Sequence, residues 1–132
     1  MISNFNDLMD KSVSLQKSVT AKDTYDGLLS TAALTKLMLD TSWSLLDNEL
    51  HSGVTSVCSM IQVTHEAPTV AGEAITVKAT VKKVEENKIF ISLKAVDETG
   101  VIAHGISERL IVDTASLKSL ADKRSAPLKT IL

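Results

Sequence analysis

The sequence has few aromatic residues, a single cysteine and no block of basic residues, and each scarcity excludes a class of protein. Aromatic residues make up 3% of the chain, which is too few for the base-stacking platform of an RNA-binding sheet. The one cysteine, Cys58, excludes an intrachain disulfide framework and a cysteine-rich zinc site. A net charge of −2 without clustered lysine or arginine disfavours nucleic-acid partners.

The sequence also lacks long apolar runs. No stretch approaches the ~18 consecutive apolar residues of a membrane-spanning helix. The first ten residues have neither the basic head nor the apolar centre of a secretory signal. These absences predict a cytoplasmic protein without a membrane partner.

The length and composition fit one globular domain with an aliphatic core. The chain has 132 residues, of which 44% are hydrophobic. We expect an N-terminal extension over 1–10, the domain over 11–123 and a C-terminal tail over 124–132. His51 and His104 lack the spacing of metal ligands, so neither a metal site nor a cofactor is predicted.

Residues 30–50 have the pattern of a long helix that is mostly buried. Either Ser30 or Thr31 can cap its start. Asp40 follows Lys36 at i+4, so the two are predicted to form a solvated pair on one narrow polar face. Apolar residues occupy the rest of the surface, which indicates that other elements wrap around the helix.

Five further segments have strand character. One precedes the helix and four follow it, at 11–20, 54–66, 74–85, 88–96 and 101–112. If side chains alternate without interruption along the segment 54–66, Cys58 lies on one face of that strand and His65 lies on the other. Between the first strand and the helix we expect a loop around Gly27, and after the last strand a short helix to about Lys123.

One wrapped helix and an antiparallel meander predict a single-domain α+β fold, in which the sheet curls around the helix as in the hot-dog fold. A cystatin-like or a nuclear-transport-factor-like curved sheet has the same elements in similar order, and composition does not separate these alternatives. We expect Met38, Trp43 and Met60 in the core, and Cys58 as a small buried hydrophobic residue.

The segment Val63–Gly72, with the sequence VTHEAPTVAG, resembles part of the fluoroacetyl-CoA thioesterase-like group of hot-dog proteins. In that group a histidine follows the first long strand and precedes Ala-Pro-Thr and a glycine turn. The Ser30-Thr31 pair at the predicted helix start resembles the group as well. So does the segment Gly105–Arg109, which has a serine where the group has a histidine.

The resemblance implies a homodimeric thioesterase-type protein that hydrolyses small acyl-CoA thioesters. It implies catalytic roles for Thr31 and His65. Its implied substrate site includes Ser30, Leu39, Cys58 and Gly72. The group has a glutamate eight residues after its threonine, and this position is Leu39 here. Hydrolysis is therefore expected to be slow, because general-base catalysis is typically worth ~10²–10⁴-fold.

Other functions stay open at this point. One is a non-catalytic protein of the hot-dog fold that binds acyl-CoA or a small acid, and another is a dimeric scaffold without a ligand. Leu39 favours binding without turnover, whereas Thr31 together with His65 favours hydrolysis. Taken singly, Thr31 also fits a helix cap, and His65 fits a strand-end histidine in a polar turn.

Overall fold

The computed structural model describes the backbone of residues 5–131 and the side chains of residues 5–126. The elements in chain order are a 3₁₀ turn (Phe5–Leu8), β1 (Ser12–Ser18), a second 3₁₀ turn (Ala21–Asp23), β2 (Thr24–Tyr25), β3 (Leu28–Leu29), α1 (Thr31–Asp47), β4 (Val54–His65), β5 (Ala74–Glu85), β6 (Lys88–Val96), β7 (Val101–Asp113) and α2 (Thr114–Ile131). Five strands form one antiparallel sheet in the order β1-β5-β6-β7-β4, and β2 and β3 form a separate hairpin.

Helix α1 lies in the curve of the five-stranded sheet and contacts every strand of it. Leu34, Met38 and Leu46 on this helix are completely buried. On its opposite side, Lys36 Nζ and Asp40 Oδ2 form an exposed ion pair with a distance of 2.9 Å. The predicted wrapped helix and the predicted solvated Asp40 are therefore confirmed.

A bulge in β4 changes the face of the sheet toward which its residues point. Cys58 pairs with Arg109 of β7, and Met60 pairs with the residue before Arg109, so Ser59 is an extra residue. Because side chains alternate along a strand, this insertion brings Cys58 and His65 to the same face, the one that faces α1. The alternation predicted from the sequence is wrong here, because it assumed a strand without a bulge.

Three residues expected in the core are exposed. Trp43 is 45% exposed and Met60 is 38% exposed, and Cys58 is exposed too. Met38 alone of the expected set is buried. Cys58 and Met60 lie on β4, an edge strand, which pairs with β7 on one side only. The hydrophobic character of these residues predicted that they are buried in the core, but it does not distinguish a core position from one on an uncovered sheet edge.

The segment 21–29 is more ordered than the predicted loop. Asp26 and Gly27 have φ angles of 53° and 79°, which are typical of a two-residue hairpin turn. The N–H group of Leu29 in β3 donates to the Thr69 carbonyl at 2.8 Å. The hairpin therefore connects the start of α1 with the segment that follows β4.

The two ends of the chain also differ from the expectation. Helix α2 starts where predicted but extends to Ile131, past the predicted end near Lys123, and includes Pro127. Of the expected extension over 1–10, residues 1–4 lie outside the described residues, and Leu8 is buried in the core. No helix in the described part of the chain is both long and apolar enough to cross a membrane.

Candidate active site

Thr31 and His65 meet at the start of helix α1. The distance between Thr31 Oγ1 and His65 Nδ1 is 2.9 Å, although 34 positions separate the two residues in the sequence. Thr31 is the first residue of α1, and His65 is the last residue of β4. Thr31 is exposed and His65 is half-buried. One chain therefore brings into contact both residues that the resemblance assigned to catalysis.

Ser30 caps helix α1 and leaves the Thr31 hydroxyl available. The Ser30 side chain accepts a hydrogen bond from the Ala33 N–H group at 3.0 Å. The first turn of α1 contains no acidic residue, so the partial positive charge of the helix start is not neutralised there. Ser30 is thus the cap, while the Thr31 side chain bonds to His65.

The residues after His65 hold the end of β4 in place. The N–H groups of Glu66 and Ala67 both donate to the Ile102 carbonyl of β7, at 2.7 and 3.1 Å. These two bonds continue the pairing of β4 and β7 past His65. They limit the movement of the histidine backbone relative to the sheet.

Thr69 connects this segment to the turn between β6 and β7. Its hydroxyl, on a residue that is 1% exposed, donates to Asp97 Oδ2 at 2.7 Å. Asp97 Oδ1 accepts from the N–H groups of Thr99 and Gly100 at 2.8 and 3.1 Å. The Thr69 hydroxyl above all, and then these N–H groups, lower the pKa of Asp97. The Ala-Pro-Thr motif is therefore a structural brace around the candidate site.

Among the described residues, the second ring nitrogen of His65 has no hydrogen-bond partner. Among the side chains described, Nε2 of His65 is the only buried nitrogen or oxygen in this condition. An unsatisfied buried polar group costs ~1–3 kcal/mol. Because Thr31 is exposed, the Nδ1 side of the ring is the side that a substrate can approach.

The other residues implied for the substrate site form no hydrogen bond with this pair. Leu39 lies eight residues beyond Thr31 on α1, which is about 12 Å along the helix axis. Cys58 lies seven residues before His65 on the same face of β4. Gly72 has a φ of 98° and donates its N–H group to a carbonyl near the end of β1, so it occupies a turn that favours glycine.

Arg109 is a buried cation that the sequence analysis quoted only as part of a motif. It is 5% exposed, and its guanidinium donates to Ser56 and Ser42. Burial lowers the pKa of Arg109. The signal was present in the sequence, because alternation along β7 gives Arg109 the same orientation as Ala103 and Ser107, which are buried.

Acidic and thiol groups do not form a metal centre in the described residues. No three His, Cys, Asp or Glu side chains there lie close enough to hold a metal ion. His104 instead contacts Glu66, with 2.9 Å between Nδ1 and Oε1.

Comparison with known proteins identifies the family. Residues 13–115 match the family model of the fluoroacetyl-CoA-specific thioesterase FlK. The chain belongs to this family. A comparison with curated protein sequences finds no significant match.

Solved structures show the same fold. A hot-dog-like protein from Thermanaerovibrio acidaminovorans has a TM-score of 0.87 and 32% identity over 92% of this chain and 96% of that chain. A thioesterase superfamily member from Thermus thermophilus has a TM-score of 0.88 and 20% identity over the same shares. FlK itself has a TM-score of 0.81 and 20% identity, over 87% of this chain and 95% of its own. The hot-dog fold is therefore confirmed, and the two alternative folds are excluded.

The Thr69–Asp97 brace predicts a pH-dependent stability. Thr69→Val should lower the free energy of unfolding by ~1 kcal/mol near neutral pH, because it removes a hydrogen bond to a carboxylate. The folded-state pKa of Asp97 is lowered, so this stabilisation is present above the unfolded-state pKa of ~3.9 and is lost as the pH falls through the folded-state pKa.

Urea unfolding of the parent and Thr69→Val at about pH 7 and about pH 3 measures this effect. The difference in stability should shrink at the lower pH. Thr99→Val is the matched control, since Thr99 binds Asp97 through its backbone only. A difference of equal size at both pH values would contradict the role of the Asp97 charge.

Proposed function

We propose that this FlK-family protein hydrolyses small acyl-CoA thioesters at the Thr31–His65 pair. The observation that carries the proposal is the distance of 2.9 Å between Thr31 Oγ1 and His65 Nδ1. A hydroxyl group is weakly reactive by itself and becomes useful when a base lies within hydrogen-bond distance. This arrangement lies at the start of a helix of 17 residues, where the partial positive charge suits a developing oxyanion.

The proposed reaction is a proton relay to His65. The thioester carbonyl oxygen binds at the start of α1, and a water molecule lies against Thr31 Oγ1. The water gives a proton to Thr31 as Thr31 passes its own proton to Nδ1 of His65. The hydroxide adds to the carbonyl carbon, the carbon–sulfur bond breaks, and the CoA thiolate takes the proton from His65. Thr31 is unchanged at the end.

We further propose that turnover is slow. In a catalytic triad, a carboxylate on the second ring nitrogen orients the histidine and stabilises its charged form. In the described side chains, Nε2 of His65 has no such partner. Leu39, at the position where the family resemblance places a glutamate, offers no proton acceptor. A missing general-base contribution is typically worth ~10²–10⁴-fold.

The functional unit that we propose is a homodimer joined along β4. This strand is 12 residues long and lies at the edge of the sheet, and long unpaired edges favour pairing with another chain. Its exposed face includes Met60, and α1 contributes Trp43 to the exposed apolar surface. Position 39 lies about 12 Å along the helix from Thr31 of its own chain. A catalytic role for position 39 therefore requires that position 39 of the second copy lies near Thr31 of the first.

A second candidate is a non-catalytic protein that binds acyl-CoA or a small acid. The specific observation in its favour is Leu39, together with the unpartnered Nε2 of His65. Only the first candidate releases free CoA from a bound acyl-CoA thioester.

Removal of the histidine tests the proposed roles. His65→Ala should abolish thiol release from short acyl-CoA thioesters, because it removes the proton acceptor that bonds to the Thr31 hydroxyl. Asp40→Asn should leave the rate nearly unchanged, because Asp40 is exposed and pairs with Lys36. Thiol release and calorimetric binding of the same acyl-CoA panel provide the measurement.

The outcomes of that experiment separate the candidates. Binding of acyl-CoA without thiol release in the parent protein would replace hydrolysis with the binding function. Activity that survives in His65→Ala but disappears in Asp40→Asn would show that the roles are assigned incorrectly. An acyl group found on Thr31 by mass spectrometry would replace the water relay with a covalent route.

Restoring a carboxylate tests the proposed cause of slow turnover. Leu39→Glu should raise kcat at a pH where the new carboxylate is ionised, by up to ~10²-fold. Burial raises the pKa of such a group, so rates are compared per folded protein across a pH series. Leu39→Gln is the matched control without charge. Equal rates in the two variants at every pH would refute the proposal.

Sedimentation tests the dimer. At micromolar concentration we expect a mass of about 28 kDa, twice the 14.2 kDa of one chain. Met60→Lys should shift the protein toward monomer, because it places a charge on the exposed face of β4. Val101→Lys, at an exposed position of β7, should not do so. A parent protein that sediments as a monomer would refute the assembly.

A further inference from the structure

A row of cationic side chains crosses the outer face of the sheet, which is the face turned away from α1. Lys78 of β5 lies directly opposite Lys94 of β6, and Lys94 lies directly opposite His104 of β7. Ser14 of β1 and Thr64 of β4 occupy the two ends. We call these five residues the outer row, and all five are exposed. Neighbouring strands lie ~4.8 Å apart, so the three cationic side chains start within a span of ~10 Å.

The outer row carries more positive than negative charge. Neither Lys78 nor Lys94 has a carboxylate within 4.0 Å among the described side chains. Glu66 lies at one end of the row, where its Oε1 atom is 2.9 Å from His104 Nδ1. Like charges directly opposite each other on a sheet are destabilising. This cationic patch, on a chain whose net charge is −2, therefore needs an explanation beyond the packing of one chain.

A shallow depression of about 190 Å³ adjoins the β4 end of the outer row. Its lining consists of Gln62, Thr64, His104, Gly105 and Ile106. Ile106 is 46% exposed, so an apolar surface borders the depression. A depression of this kind can hold one apolar anchor side chain of a protein partner.

The outer face around the two lysines is flat and open. Thr80 lies opposite Ser92 on one side of the lysines, and Thr76 lies opposite Val96 on the other. These side chains are short, so a partner can approach the lysine amino groups without obstruction. Pairing of β4 with a second copy would extend the sheet sideways. The outer face would then remain uncovered in the proposed dimer.

We infer that the outer row is a docking surface for an acidic helix of another protein, with an apolar side chain of that helix in the depression. Carboxylates at positions i and i+4 of a helix start ~5–6 Å apart, which is close to the ~4.8 Å between the strands that carry the row. An extended segment would instead add to a sheet edge, because only an edge has unpaired backbone groups. This inference does not rest on the proposed function.

Charge and shape disfavour two other occupants of the outer row. A symmetric contact with a second copy would place each outer row against an identical one, and like charges across an interface repel. A phosphate polymer would pair with the lysines but would leave the depression beside Ile106 empty. An acidic helix uses both features.

Synthetic peptides test the docking surface. The probe is an alanine-based helix with glutamates at i, i+4 and i+8 and one leucine on the same face. The acidic probe should shift the NMR amide signals of the outer row. Lys78→Ser combined with Lys94→Ser should weaken its binding by about tenfold. Lys118→Ser combined with Lys123→Ser, at exposed positions of α2, removes the same charge and should weaken binding less than about twofold.

The outcomes of the peptide experiment are distinct. A matched peptide with glutamine in place of glutamate should leave the signals unchanged. Equal binding of the two peptides, equal loss in the two double variants, or no binding of the acidic peptide would overturn the inference. Tighter binding of sodium tripolyphosphate than of the acidic peptide would replace the helix with a phosphate polymer. A parent tetramer that Ile106→Lys separates into dimers would replace it with a second copy.

A charge reversal tests the electrostatic cost of the outer row. Lys94→Glu places an acid between Lys78 and His104, so it should raise the melting temperature at low ionic strength. The gain should shrink in ~1 M sodium chloride, where the Debye length is ~3 Å. The same variant should lose binding of the acidic peptide, whereas the neutral control Lys94→Gln should keep part of it. Equal melting temperatures of the two variants at low ionic strength would show that the row carries no such cost and would overturn the inference.

Discussion

The extra residue Ser59 in β4 determines which side chains face helix α1. Cys58 and His65 are seven residues apart, so a regular strand would place them on opposite faces of the sheet. The bulge brings both to the α1 side, and Ser59 is fixed there by bonds from its hydroxyl to the Glu108 carbonyl and to Glu108 Oε2 at 3.0 and 2.8 Å. Without the bulge, either the contact of His65 with Thr31 or the position of Cys58 beside Arg109 would be lost. Bulges are over-represented next to functional sites for this reason.

Helix α1 places polar side chains at two positions along strand β4. Its first residue, Thr31, reaches His65 at one end of β4, and Ser42 reaches Arg109 near the middle of the strand. Between these two positions, α1 is anchored by buried aliphatic residues of the core, which fix the helix against the sheet. The brace through Thr69 and Asp97 adds a fixed point at the His65 end. The geometry of both contacts therefore depends on how this one helix lies against the sheet.

Local patterns in the sequence were sufficient for most elements but not for the positions of the site residues. Strands β5 and β6 have the bounds that alternation predicts, and α1 begins after Ser30 as its capping residues indicate. Alternation could not reveal the bulge at Ser59, because an inserted residue leaves no change in hydrophobicity. The pairing of Thr31 with His65 spans 34 positions, and only resemblance to a family connected them. The exposure of Trp43 depends on tertiary structure, which a helical pattern does not contain.

Two polar groups on the α1 face are incompletely satisfied, and they have different consequences. In the described side chains, the Nε2 atom of His65 lacks a hydrogen-bond partner, which costs ~1–3 kcal/mol. Arg109 is charged, so its lack of an acid is harder to tolerate in a protein whose total stability is ~5–15 kcal/mol. In the described side chains, one chain thus leaves a histidine ring nitrogen without a hydrogen-bond partner and a buried cation without a carboxylate, and the second has the larger electrostatic cost.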